Sequence, residues 1–187
     1  MRRLICKCRK WGEVLHQDIF KIEHLYDCYH RDVYHFALYY TNSKQEAEDI
    51  TQETFFKAIK QLHNLKDKDK VKTWILSIAR NTAVDLHRRQ KIKRLLTEKL
   101  SMQPVLREVP KPLEIVVKNE QWQTVQEALM TLKSHDRTII ICRMLKDYTI
   151  QETAAILGIS EVKARVDFHR AMARLRKKVG GLIDGRT

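Results

Sequence analysis

Asp49 and Glu53 stand four residues apart, with Glu46 and Glu48 just before them, on one short segment of a strongly basic chain. Side chains four apart share a helix face. Paired carboxylates hold magnesium in metal-dependent nucleases. Such a site needs further carboxylates from other elements, and none declares itself. A solvated face is a second reading. A contact for a basic protein partner is a third, and it fits best with the rest of the chain. Near the start, Cys6 and Cys8 form a C-x-C with His16 nearby, half of a zinc site. No second pair follows at the usual spacing, so neither metal nor cofactor is expected. Cys28 and Cys142 fall on apolar helical faces and read as packing residues. No nucleophile cluster is visible, so the chain reads as a binding protein without a small-molecule substrate.

The most readable constellation lies near the C-terminus. Thr149 and Glu152 have capping-box spacing, and IQETAAILG (150–158) reads as a short helix closed by Gly158. Ser160 then caps a long basic helix, EVKARVDFHRAMARLRKK (161–178). Helix, glycine turn, longer helix is a helix-turn-helix, whose second helix enters the major groove by its N-terminal part. That part carries Lys163, Arg165, Val166, His169 and Arg170. Lys and Arg donate to guanine, and Val meets a thymine methyl. Asp167 is a candidate acceptor for cytosine. Arg174, Arg176, Lys177 and Lys178 suit phosphates. Ala164, Phe168, Ala171 and Leu175 supply the packing face, and the basic residues lie mainly off it. A second basic surface closes the segment 72–94, with Arg88, Arg89, Lys91, Lys93 and Arg94. Trp74, near its start, falls in an apolar row and reads as core, with base stacking as the alternative.

These segments need elements to position them. All three prolines, Pro104, Pro110 and Pro112, fall in one stretch, drawn here as a flexible linker over 95–118. On both sides the apolar residues recur at spacings of three and four, which predicts an all-α chain of two small helical domains. The first spans 18–94. It has one helix through Ile22, Leu25, Tyr29, Val33, Phe36 and Tyr40 and a turn at Thr41–Asn42. A second helix follows, started by a Ser43/Glu46 capping box and burying Ala47, Ile50, Thr54, Ala58 and Leu62. The third runs from Val71 through Trp74, Ile78 and Leu86. The second domain spans 119–180 and opens with Trp122, Val125, Leu129 and Leu132 on one face. Residues 1–17 and 181–187 read as loosely held ends. The formal net charge of +13 calls for a polyanionic partner, with nucleic acid first. No apolar run is long enough for a membrane span or a signal peptide, and a cytoplasmic protein is expected.

Three motifs together resemble a known family. DITQETFFKAI (49–59) is similar to sigma region 2.2, with its D-x-x-Q-E-x-F pattern. KTWILSIARNTAVDLHRR (72–89) resembles regions 2.3 and 2.4 of extracytoplasmic-function sigma factors, and residues 132–177 resemble region 4. The resemblance covers roughly 20–94 and 119–178, in the same order and with the same kind of linker. It implies a subunit that directs core RNA polymerase to promoter DNA. Asp49, Gln52 and Glu53 would face the clamp helices of the β′ subunit. Trp74, Arg80, Asn81 and the loop Lys66–Lys72, with Arg88 and Arg89, would open and read the −10 element. Lys163, Arg165, Val166, His169 and Arg170 would read the −35 element, and region 4 would touch the β flap. Members of the family are commonly held inactive by an anti-sigma factor, so one is expected here. The start of the recognition helix departs from the family's Gly-Thr-Val-Lys-Ser-Arg-like run, so no −35 sequence is carried over. The competing reading is a helix-turn-helix regulator that is not a polymerase subunit; the acidic helix beside an IARN-type segment argues against it. A 24-residue linker reaches ~80 Å. Promoter elements about two helical turns apart are separated by ~70 Å, so one chain spans both.

Overall fold

The computed structural model describes residues 18–62, 65, 67–100 and 120–184. Cys6, Cys8, His16, Lys66, the three prolines and the last three residues lie outside the described residues. Helix α1 runs Asp18–Thr41 and buries Leu25, Val33, Phe36, Ala37 and Tyr40. It ends where the Thr41 hydroxyl donates back to the Ala37 carbonyl at 2.9 Å and Asn42 turns left-handed at φ 57°. Asn tolerates that conformation better than most residues. Helix α2 (Lys44–Gln61) starts with the Ser43 hydroxyl accepting the Glu46 N–H at 3.3 Å. The reciprocal half of the expected capping box does not form. The Glu46 carboxylate instead accepts from the Gln90 amide at 2.9 Å, which ties α2 to the next helix.

A single 3₁₀ turn (Lys68–Lys70) leads into α3 (Val71–Leu100). This helix runs six residues beyond the expected start of the linker. Neither Gly nor Pro occurs between Val71 and Pro104, and LLTEKL is composed mostly of good helix formers, so nothing local stops it earlier. The rest of the chain forms α4 (Glu120–Met130), α5 (Ser134–Ile140), α6 (Ile150–Leu157) and α7 (Glu161–Asp184). A π-turn at Ile141–Leu145 extends α5. The Thr149/Glu152 capping box is complete, and Gly158 sits at φ 66°, where a Cβ would be strained. Helix α7 continues through Gly180 and Gly181, where a loose tail was expected. Val179 and Leu182, three apart, pack on the core and offset the glycines' cost of about 1 kcal/mol each. No strand occurs among the described residues.

The buried apolar cluster is continuous through both halves of the chain. Helix α3 packs on α1 and α2 with one side and on α6 with another. Cys142 is fully buried, and burial pushes its thiol up to about 12, in keeping with a packing role. Cys28 is half-buried beside His24.

One buried charge organises the second half. Arg137, in α5, is 2% exposed. Its guanidinium donates to the carbonyls of Met130 and Leu132 at the end of α4, and to the Tyr40 carbonyl at the end of α1 at 3.0 Å. Helix C-termini leave carbonyls without intrahelical donors, and a buried cation fits them. Burial lowers the Arg137 pKa, but an arginine stays charged. Arg137→Ala leaves three carbonyls short of a donor and is expected to cost on the order of 3 kcal/mol, read as a fall in the urea midpoint. An unchanged midpoint would mean that water replaces the guanidinium without penalty.

Candidate functional site

The groove-reading face expected on α7 is built as the periodicity implies. The Ser160 hydroxyl accepts the Lys163 N–H at 3.3 Å and starts the helix. Ala164, Ala171 and Leu175 are buried and Phe168 is half-buried, which turns Lys163, Arg165, Val166, His169 and Arg170 to solvent. Val162, 71% exposed, lies beside them.

Two acidic partners alter this surface. Asp167 is not offered to a base. Its carboxylate receives His135 Nε2 from α5 at 2.9 Å and lies 3.2 Å from Lys163 Nζ. Burial raises its pKa, but these two partners outweigh that and hold it below the usual carboxylate range. Arg174, expected at a phosphate, instead donates both ways to the nearly buried Asp136 carboxylate, at 2.9 Å to each oxygen. Arg176, Lys177 and Lys178 remain exposed. Thus α5 contributes two side chains, His135 and Asp136, that seat the recognition helix. Sequence reasoning missed both, because nothing local links them to residues 32 and 38 positions away.

Helix α3 divides its expected DNA residues. Asn81, Arg88 and Arg89 are exposed. Trp74 is half-buried against the core, in line with its periodic position. Arg80 is half-buried; its Nε is enclosed, it donates to the Asn81 side chain at 2.8 Å, and it lies near Cys142 in the other half of the chain.

On α2, Asp49, Gln52 and Glu53 are all exposed. Asp49 and Glu53 line a shallow cleft of about 270 Å³ against α3, where Asp85 adds a third carboxylate and Lys57 and Arg89 add two cations. Lys57 lies 3.4 Å from Glu53 and donates to the Thr82 hydroxyl at 3.2 Å. Glu48 and Gln52 border a second, more apolar groove of about 670 Å³ between α1 and α2, with Tyr26, Phe55, Phe56 and Ile59. Phe56 is 53% exposed, and Tyr26 and Ile59 are exposed too. This groove was not foreseen. Its signal was the position of Phe56 and Ile59, off the Ala47–Ile50–Thr54–Ala58 stripe.

Comparison with known proteins decides the family. The Sigma-70 region 2 family matches residues 25–92 and the Sigma-70 region 4 family matches residues 122–175. The ECF RNA polymerase sigma factor SigX of Bacillus subtilis is 36% identical over 82% of this chain and 80% of its own length. The chain belongs to the extracytoplasmic-function sigma factors of the sigma-70 family. SigM of Bacillus subtilis is 31% identical, over 83% of this chain and 93% of its own length. Among solved structures, the sigma factor RpoE of Bartonella quintana, in complex with the anti-sigma factor NepR, shares the fold at a TM-score of 0.66. It has 21% identity and covers 88% of this chain and 98% of its own. CnrH, in complex with the cytosolic domain of CnrY, matches at 0.60 with 20% identity, over 90% of this chain and 91% of its own. As a sigma factor, this protein directs RNA polymerase to promoters; a stand-alone helix-turn-helix regulator is not favoured.

Arg165 and Arg174 separate two jobs on one helix. Arg174→Ala leaves Asp136 without its partner and is expected to lower stability by about 1–3 kcal/mol while base preference is kept. Arg165→Ala is expected to leave stability within about 0.5 kcal/mol and to weaken binding by about 1–3 kcal/mol at one base position. Thermal melts and a base-substitution panel read the two effects. Identical behaviour of the two variants would contradict this placement of α7.

Proposed function

We propose that the three faces described above divide promoter recognition among themselves. The face of α2 bearing Asp49, Gln52 and Glu53 docks on the β′ clamp helices of core polymerase, and the Phe56 groove beside it adds apolar contact. The α3 surface with Trp74, Arg80, Asn81, Arg88 and Arg89 opens and reads the −10 element. Lys163, Arg165, Val166, His169 and Arg170 read the −35 element, and the second domain meets the β flap. The protein acts in the cytoplasm through binding alone, with no catalytic step. Two structural relatives are seen with anti-sigma factors or an equivalent cytosolic domain, which supports an anti-sigma partner here as well. The domain limits that suit this division run from 18 to the end of α3 at 100 and from the start of α4 at 120 to the end of α7 at 184.

The single observation that carries this reading is the separation of charge. The exposed face of α7 is overwhelmingly basic, while exposed Glu48, Asp49 and Glu53 on α2 lie next to an open aromatic groove. DNA repels the second surface, and a basic protein surface with apolar side chains suits it.

The test is charge reversal. Asp49→Lys with Glu53→Lys is expected to leave the helical circular dichroism spectrum intact and to weaken core-polymerase binding on the order of tenfold or more, since like charge across an interface costs several kcal/mol. Unchanged affinity in a folded double variant would remove α2 from the polymerase interface.

A further inference from the structure

Asp167 is an acid on a helix face that otherwise shows DNA its cations, and two partners converge on one of its oxygens. His135 Nε2 lies 2.9 Å from Oδ2, and Lys163 Nζ lies 3.2 Å from the same atom. The Asp167 side chain is only 12% exposed, whereas Lys163 is 57% exposed. Burial raises the Asp167 pKa, but His135 and Lys163 more than reverse this, so the carboxylate is ionised at neutral pH. An ionised carboxylate only accepts hydrogen bonds. His135 Nε2 therefore carries the proton in this contact and donates it, whatever the state of the other ring nitrogen. The acid is held from α5 and in turn holds a lysine on α7.

Helix stability does not account for this arrangement. Lys163 stands in the first turn of α7, where its N–H is capped by Ser160. A cation is unfavourable at that positive helix end, and an acid–base pair four apart stabilises best with the acid first. Here the order is reversed. The chemistry of lysine supplies another reason. Arg165 and Arg170 carry planar, pre-organised forks, but a lysine is a hydrated point charge on a flexible stem. Left free beside DNA, such a charge is drawn to the phosphates, which carry no sequence information. We propose that Asp167 is a positioning residue for −35 recognition: pinned by His135, it holds the Lys163 ammonium at one base edge and keeps it from the phosphate backbone. Asp167 and His135 thereby determine specificity without touching a base. The inference rests on the function proposed above, which makes Lys163 a −35 reader.

The test is a double-mutant cycle read as base preference. Holoenzyme made from core polymerase and the whole chain selects from a duplex library randomised over the −35 region, and the bound fraction is sequenced. Lys163→Ala should flatten one base pair, losing a preference of about tenfold. Asp167→Asn, which keeps the size of the side chain but not its charge, should flatten the same base pair while the other positions stay sharp. In the Lys163→Ala background, Asp167→Asn should change base preference no further. His135→Ala should blur that base pair too, and His135→Gln, whose amide also donates, should restore it. Circular dichroism melts of each variant check the fold. Three results overturn the proposal: a base pair that stays sharp in Asp167→Asn, a loss spread evenly over all positions, or an Asp167→Asn effect that persists without Lys163. The second would make the pair a mere seat for α7, and the third would mean that Asp167 meets a base itself. If Lys163→Ala changes no position, the assignment of Lys163 to the −35 element falls, and this inference with it. If it flattens a position that Asp167→Asn leaves sharp, only the inference falls.

Discussion

The Arg137 guanidinium reaches from α5 to the ends of two other helices, donating to the last carbonyls of α4 and to the Tyr40 carbonyl of α1. A charge buried this deeply is tolerated only where hydrogen bonds replace its lost water. Those acceptors exist only if α4 ends where it does and α1 presents its own end. One side chain therefore ties the second domain's internal fold to its place on the first, alongside the apolar packing between them. Helix α5 also carries Asp136 and His135, which hold α7 through Arg174 and Asp167. The recognition helix is positioned from α5, and α5 is positioned by Arg137.

The chain has 36 basic and 23 acidic residues, and the distribution of the acids explains how a strongly basic protein folds. Asp136 and Asp167 seat the basic recognition helix. Asp32 and Glu152 face cations across the contact between the two domains. These carboxylates relieve repulsion where basic surfaces approach one another. Asp49 and Glu48 on α2 differ, lying exposed at a surface that also shows Phe56 and Ile59. Exposed apolar side chains rimmed by polar ones are the kind of surface that suits a protein contact.

Local signals were legible in the sequence, and long-range ones were not. The Thr149/Glu152 box, the left-handed Gly158 and the Ser160 cap are short-range hydrogen-bond chemistry, and each forms as expected. The buried rows of α1, α2 and α7 follow their periodicity. Periodicity reports that a face is buried, however, and not what covers it. Arg80 and Gln126 lose solvent to the other half of the chain, which no local pattern encodes. Glu46 had the right spacing for a capping box, but Gln90, 44 residues away, claims its carboxylate. Asp167 and Arg174 looked available for DNA because their partners, His135 and Asp136, lie on another helix. The length of α3 was underestimated for a simpler reason: the prolines marked a linker, but a helix ends only where something ends it.

As a sigma factor, this chain gives RNA polymerase its choice of promoter. The most direct measurement is transcription of a fragmented bacterial genome by purified core polymerase, with and without the protein, followed by mapping of RNA 5′ ends. A discrete set of start sites should appear only with the protein and share sequence elements near −10 and −35. Start sites that do not change on its addition, together with tight sequence-selective DNA binding by the protein alone, would contradict this role.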